Sequence, residues 1–260
     1  MNTVLIIPAR FDSTRFPGKP LFNIAGKSMI QRTWEQCVQS FPKEKIFVAT
    51  DDQRIETHCL EIGIQTIMTS TNCLTGTDRV WEASQQIDAD IYVNVQGDEP
   101  LFNPDDITAV LQASQRDPHL VINAMCQINE ESDYFNYHVP KVVASVDGKL
   151  LYMSRSAIPS NETNHFAFAM RQVCAYAFPK AALAGFASVS ARTPLESQED
   201  IEIIRFLELG YEVKMIEVSH DSIPVDRPAD VERVIEVLEK KLGGSSAKQI
   251  KDIYRKKKNN

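Results

Sequence analysis

The chain has 260 residues, 43% hydrophobic and 24% charged, with a net charge of −7 at pH 7. That composition can bury a sizeable core, and its negative field argues against a general binder of nucleic acid or anionic membrane, which usually carries net positive charge. The five cysteines, at 37, 59, 73, 126 and 174, show no CxxC or metal-ligand spacing. They read as reduced thiols of a cytoplasmic protein, and no apolar run approaches the ~18 residues of a membrane span.

The apolar run Thr3 to Ile7 suits a strand covered on both faces. A loop follows to about Gly26, and apolar residues at 29, 30, 34 and 38 predict a helix over 28–40. "KIFVAT" reads as a second buried strand, 52–62 as a helix and "IQTIM" as a third strand. "GTDRVWEASQQI" is helical and "DIYVNVQ" is a fourth strand. "NPDDITAVLQAS" has an N-cap Asn, a first-turn Pro and then a helix. Strands alternating with helices predict an α/β fold with a Rossmann-like, mainly parallel sheet.

The middle of the chain changes character. "VINAMCQI", "KVVASVD", "LLYMS" and "QVCAYAF" are strand-like with few helices between them, and predict an antiparallel extension of the same sheet. Helical rhythm returns in "PLESQEDIEIIRFLELG", followed by a strand at "EVKMIEV". A last helix over 228–242 carries one apolar stripe at 231, 234, 235, 238 and 242. Residues 1–242 read as one domain. Residues 243–260, polar and basic, read as a mobile tail.

The segment "LIIPARFDSTRFPGKP" concentrates Arg10, Arg15 and Lys19 just after the first strand. Ligands of open parallel sheets bind at the carboxyl ends of the strands. Cations there, with Ser13, Thr14 and Gly18, fit a polyphosphate. Standing alone, the loop reads equally well as a solvated charged turn. "GKS" at 26–28 is no P-loop, because Leu21 stands where the motif needs Gly, and no GxGxxG follows this strand. Asp98, past the end of "YVNVQ", suits either a Mg²⁺ ligand or a turn. Asp226, two residues before Pro228, taken alone reads as a helix cap. The five histidines and the two tryptophans suggest no metal or cofactor site.

Taken together, "IIPARFDSTRFPGKPL", "IFVATDD", "TGTDRV", "YVNVQGDEP", "LYMSRSAIP" and "VDRPADVERV" resemble the bacterial CMP-Kdo synthetases in order and spacing. These are 3-deoxy-manno-octulosonate cytidylyltransferases of the CMP-sugar synthetase group, and the resemblance runs from about Thr3 to Leu242. It implies CMP transfer from CTP to the acidic 2-keto sugar Kdo, for lipopolysaccharide or capsule, by a Mg²⁺-dependent homodimer. Arg10, Ser13, Arg15 and Lys19 would bind the triphosphate, and Gly76, Thr77 and Arg79 would hold the nucleotide. Asp98 and Asp226 would hold Mg²⁺. Gln96, Arg155, Tyr176 and Glu202 would line the sugar pocket, with Gln172 where the family commonly has a His. Glu162 stands about where the family often has a pocket Arg, and Arg171 is the cation left open to compensate. The sugar half thus departs from the family, and a different 2-keto-3-deoxy acid (an amino-Kdo or a nonulosonic acid) stays open as substrate. So does a nucleotide-binding module without catalysis.

Overall fold

The structure, a computed structural model, describes residues 1–13, 16–220 and 222–242, the last two as backbone. The first half alternates as its sequence predicts: β1 (Thr3–Ala9), α1 (Met29–Cys37) after a short hairpin of β2 (Asn23–Ile24) and β3 (Lys27–Ser28), β4 (Ile46–Thr50), α2 (Gln53–Glu61), β5 (Gln65–Met68), α3 (Gly76–Ser84), β6 (Ile91–Val95) and α4 (Pro104–Arg116). Ser28 caps α1, Asp52 caps α2 and Asn103 caps α4, each accepting a first-turn N–H. The middle holds β7 (Val121–Gln127), the short α5 (Glu131–Phe135), β8 (Lys141–Ala144), β9 (Leu150–Ser154) and β10 (Met170–Pro179). Then come α6 (Lys180–Phe186), α7 (Pro194–Glu199), α8 (Ile204–Glu208), β11 (Val213–Glu217) and α9 (Pro228–Leu242).

Among the described residues nine strands form one sheet, ordered β11-β7-β10-β6-β1-β4-β5, with β8 paired to β10 and β9 to β8. The pairs β6/β1, β1/β4, β4/β5 and β11/β7 are parallel, and β10 runs antiparallel to β6, β7 and β8. Both halves of the sheet prediction therefore hold. The antiparallel direction of β10 matters for the site. It brings the first residues of β10 to the carboxyl end of β6, with Ala175 opposite Val95.

β1 is buried on both faces, which explains its unbroken apolar run. Val4 and Ile6 pack with Val80 and Ala83 of α3 on one face. Leu5 and Ile7 pack with Ile30 and Cys37 of α1 and with Ile107 and Val110 of α4 on the other. A third cluster ties the ends of the chain together. Val231, Val234, Ile235 and Leu238 of α9 meet Phe16, Ile24, Leu101 and Val225. Each such buried side chain contributes about 1.5–3 kcal/mol of transfer free energy before entropy, so the stripe on α9 fixes Asp226 and the loop after β1 against the same body.

One prediction is corrected. The helical rhythm over 194–210 does not give one helix. It breaks between α7 and α8 at Asp200, which is left-handed at φ 53. The backbone there is stabilised from outside the helix: Arg155 donates from Nε to the Glu199 carbonyl (2.6 Å) and from Nη2 to the Asp200 carbonyl (2.8 Å). α5 and α6 were not foreseen. The tail 243–260 lies outside the described residues. No helix among the described residues is long and apolar enough to cross a membrane.

Candidate active site

A cavity of about 340 Å³ opens at the carboxyl ends of β1 and β6. Its size suits a small polar ligand. The loop after β1 forms one wall, with Arg10, Ser13 and Lys19. Gly18 enters the left-handed region at φ 69, with the ring of Phe11 3.1 Å from where a Cβ would stand. The following 3-10 turn carries Lys19 inward. Arg10 is exposed, and Arg15 and Thr14 lie outside the described residues.

Lys19 is the hub of this wall. Its ammonium donates to Asp98 Oδ2 (2.6 Å) and to the Val225 carbonyl (2.9 Å), and lies 3.9 Å from Asp226 Oδ1. Val225 N–H in turn donates to the Asp98 carbonyl (3.0 Å). The two carboxylates, 128 residues apart in sequence, thus converge on one cation. Such an oxygen-only pair fits Mg²⁺, which typically takes one or two carboxylates and completes its shell with phosphate oxygens and water. Among the described residues no cluster of three or more His, Cys, Asp or Glu side chains could form a fuller metal cage.

The N-terminus of α3 forms the next wall. Thr75 and Asp78 make a reciprocal capping box, so the first turn is fixed and its positive dipole end faces the cavity. Gly76 packs closely on Gln96: a Cβ there would stand 2.6 Å from Gln96 Nε2 and push that amide aside. Arg79 is almost fully buried, and its Nη2 bonds Asp51 of "ATDD" at 2.7 Å while Nη1 bonds Thr69. It touches the cavity while tying α3 to the end of β4. Arg205, also buried, makes a two-pronged pair with Glu196 (2.6 Å each) and reaches Asp78 (3.0 Å). The α7–α8 unit and the α3 wall are therefore braced together.

The break at Asp200 lets Glu202 enter the cavity. Its carboxylate accepts from Thr77 N–H (3.0 Å) and Gln96 Nε2 (3.2 Å), and burial raises its pKa. Arg155 lines the cavity and gives one N–H each from Nε, Nη2 and Nη1 to the carbonyls of Glu199, Asp200 and Tyr137, which leaves donors for a ligand. Gln172 and Tyr176 lie on the same face of β10, joined by Gln172 Nε2 to the Tyr176 hydroxyl (3.2 Å). All the described residues expected from sequence reach this one region, Thr77 through its bond to Glu202. Glu162 does not: it is exposed and outside the lining.

Three residues were missed, Asn123, Glu99 and His138. Asn123, fully buried on β7, donates to the carbonyls of Val173 and Ala175, where β10 bulges, and accepts from Gln172 Nε2 (3.0 Å). Glu99, beside Asp98, is buried and bonded to Ser222. Burial, and then the charge of Asp98, push its carboxyl up to about 8. His138 lines the cavity and accepts at Nε2 from Arg227 (2.8 Å), which puts its ring proton on Nδ1. Arg171 also lines the cavity and donates to the Ser222 carbonyl. Of the three missed, the sequence carries a signal only for Glu99, inside the "QGDEP" motif. The others are brought in by pairing and loop contacts between distant segments.

Residues 4–216 match the cytidylyltransferase family. A 3-deoxy-manno-octulosonate cytidylyltransferase of Zea mays is 41% identical over 248 residues, covering 90% of this chain and 80% of its own. One from Escherichia coli is 35% identical over 241 residues, covering 93% of this chain and 98% of its own. The solved structure of a CMP:2-keto-3-deoxy-manno-octonic acid synthetase complexed with CTP superposes with a TM-score of 0.86 at 34% identity, covering 93% of this chain and all of that one. With the sheet order, the loop after β1 and the converging carboxylates, these likenesses mean that the chain belongs to the 3-deoxy-manno-octulosonate cytidylyltransferase family.

Proposed function

We propose that this protein transfers CMP from CTP to the anomeric hydroxyl of Kdo, releasing pyrophosphate and supplying CMP-Kdo for lipopolysaccharide or capsule. The observation that carries the reading is the meeting of Lys19, Asp98 and Asp226 at the carboxyl ends of β1 and β6, between a cationic loop and a hydrogen-bonding sugar wall. Both reactants are anions. Two unit charges 4 Å apart repel by ~4 kcal/mol at an effective dielectric of 20, so the site must neutralise charge as well as align attack.

Arg10, Ser13, Arg15 and Lys19 bind the triphosphate. Gly76, Thr77 and Arg79 build the nucleotide wall, Arg79 by holding α3 to β4. Asp98 and Asp226 hold Mg²⁺, which when bound screens the phosphate charge and stabilises the departing pyrophosphate. Gln96 and Glu202, bonded to each other (3.2 Å), bind sugar hydroxyls together with Arg155, Gln172 and Tyr176. No covalent enzyme intermediate is needed, because the sugar hydroxyl oxygen attacks the α-phosphorus directly.

The test is pyrophosphate release from CTP and MgCl₂ with a panel of 2-keto-3-deoxy sugar acids. Turnover with Kdo above the other acids supports the reading, and no release with any acid ends it. A second reading, the same transfer to a different acid of this class, is favoured by one observation: Gln172, neutral and already bonded to Asn123 and Tyr176, lines the pocket without an added charge.

The protein is further proposed to act as a cytoplasmic homodimer through its middle strands. Among the described residues β9 pairs only with β8, and Leu151 of β9 is exposed, as are Phe135, Tyr137 and Phe168 of the same mid-chain region. Light scattering on the eluting species should give twice the chain mass, and a monomer at micromolar concentration would end this part of the reading.

A further inference from the structure

Lys141 is the buried charge the reaction scheme does not use. It starts β8, opposite Ser154 of β9 and Arg171 of β10, and its side chain has no solvent exposure. Among the described residues no carboxylate lies within ion-pair distance of its ammonium. Nζ instead donates to two carbonyls, Asn136 (2.8 Å) and Arg155 (2.6 Å). A buried ammonium held only by carbonyls is costly to keep, and a structural peg could be apolar.

Both carbonyls belong to segments that line the cavity. Asn136 ends α5 and opens the run to Pro140, which puts His138, Val139 and Pro140 on the wall. The Pro140 carbonyl accepts from Gln172 N–H (3.0 Å). Arg155 lines the cavity itself, and its guanidinium returns to the same run at the Tyr137 carbonyl (3.3 Å). One ammonium thus clasps two segments of the wall that faces Gln172, and it touches nothing on the nucleotide wall.

We propose that Lys141 is a positioning residue for the acidic sugar, clasping the 136–140 run to Arg155 so that both keep their place on the sugar side of the cavity. This rests on the reading that this side takes the sugar. Protonation then becomes part of the clasp. Arg155 faces the ammonium as a like charge, while Glu199 of α7 and Asp133 of α5 face it as opposite charges. Arg171 sits across the strand pair. Burial, and then Arg155, lower the Lys141 pKa from 10.5 to about 8. The clasp should therefore weaken in mildly alkaline solution.

The experiment compares the full chain with Lys141→Met and Lys141→Arg, using CTP, MgCl₂ and Kdo from pH 6.5 to 9.5. In the parent chain, kcat/KM for Kdo should fall above an apparent pKa near 8, with no such limb in kcat/KM for CTP. Lys141→Arg should shift that limb upward, since a guanidinium stays charged. Lys141→Met should raise the Kdo KM roughly tenfold or more, the usual scale for losing hydrogen bonds to a charged group, and leave the CTP KM within about twofold. Hydrogen exchange read by mass spectrometry supplies an arm independent of turnover: amides of 136–140 and 155–157 should exchange faster in Lys141→Met, and those of 75–80 should not. A folded Lys141→Met with an unchanged Kdo KM, or with both KM values raised alike, overturns the proposal. If that variant does not fold, an alkaline limb identical in the parent and Lys141→Arg overturns it. If no acid is turned over at all, the functional reading has failed, and unchanged exchange at 136–140 then overturns the clasp separately.

Discussion

Replacing Lys19 by Met removes a cation that the folded chain places between Asp98 and Asp226. The carboxylate oxygens flank its ammonium at 2.6 and 3.9 Å, so they stand at most about 6.5 Å apart. At an effective dielectric of 20, two unit charges at that distance repel by ~2.5 kcal/mol. Asp226 is 39% exposed, so solvent screens part of this. Losing the bond to the Val225 carbonyl adds about 1.5–3 kcal/mol at most, because the donor is charged. A net destabilisation of about 1–3 kcal/mol follows, or roughly 3–9 °C in Tm for a chain this long. Sequence alone gives Lys19 a ligand-facing role with little part in stability, and the hub geometry adds that part. Melting in EDTA and in MgCl₂ checks it. The Lys19→Met chain should melt lower than the parent in EDTA and gain more from Mg²⁺, because the ion replaces the missing charge between the same carboxylates. A variant that melts like the parent in EDTA and gains nothing extra from Mg²⁺ would show that the carboxylates are neither coupled to Lys19 nor paired on a metal.

Asp98→Asn and Asp226→Asn should each lower kcat by about 10³ or more, since metal-site contributions are worth several kcal/mol, while far-UV circular dichroism stays unchanged; near-normal turnover at saturating Mg²⁺ would remove that residue from the metal pair. Gln172→Ala should raise the sugar KM about two- to tenfold, the worth of one neutral hydrogen bond, with CTP kinetics unaffected, and an unchanged sugar KM would take Gln172 out of the pocket. For Glu99, a carboxyl whose pKa rises from 4.5 to about 8 on folding holds a proton that the unfolded chain releases, so its stability share is full below about 4.5 and lost as pH climbs through about 8. Glu99→Gln should therefore melt like the parent near pH 5 and several degrees higher at pH 8.5 in EDTA; equal melting at both pH values would show that the parent carboxyl ionises without cost.

The half of the cavity proposed to take the nucleotide was legible because its residues are local to strand ends. The loop after β1, the turn before α3 and Asp98 each follow a recognisable strand or open a helix, and the parallel sheet puts all such ends on one edge. Asp226 became legible only through the family's motif, since alone it reads as a cap. The half proposed to take the sugar is assembled differently. Gln172 and Tyr176 reach it because β10 runs antiparallel to β6, and a strand's direction is not written in its own apolar pattern. Glu202 reaches it because a predicted helix is interrupted at Asp200, and the side chain that satisfies the carbonyls at that break, Arg155, lies 45 residues away. Asn123 was invisible for the same reason: a polar residue inside the apolar run "VINAMCQI" has meaning only once the bulge of β10 presents two carbonyls to it.

The network around Gln172 bears on which acid the pocket takes. Its Nε2 donates to Asn123 Oδ1 and to the Tyr176 hydroxyl, which uses both amide hydrogens. Oε1 is then the atom left to face a ligand, and it can only accept. A histidine in this position would offer either one donor and one acceptor or, when protonated, two donors and a positive charge. The departure from the family therefore replaces a group that can donate to the sugar with one that must receive from it. A hydroxyl satisfies such an acceptor, and so does an amine, whereas a carboxylate or carbonyl oxygen does not. The sugar atom nearest Gln172 must therefore carry a hydrogen. Kdo meets that condition with its hydroxyls, and an amino-substituted acid meets it with a charged donor that makes the stronger bond. Gln172→His should consequently cost an amino-substituted acid more than Kdo, because a cationic imidazole would repel the ammonium. Competition between the two acids in the parent and the His variant measures this directly. Equal loss for both would mean that Oε1 does not face the substituent that distinguishes them.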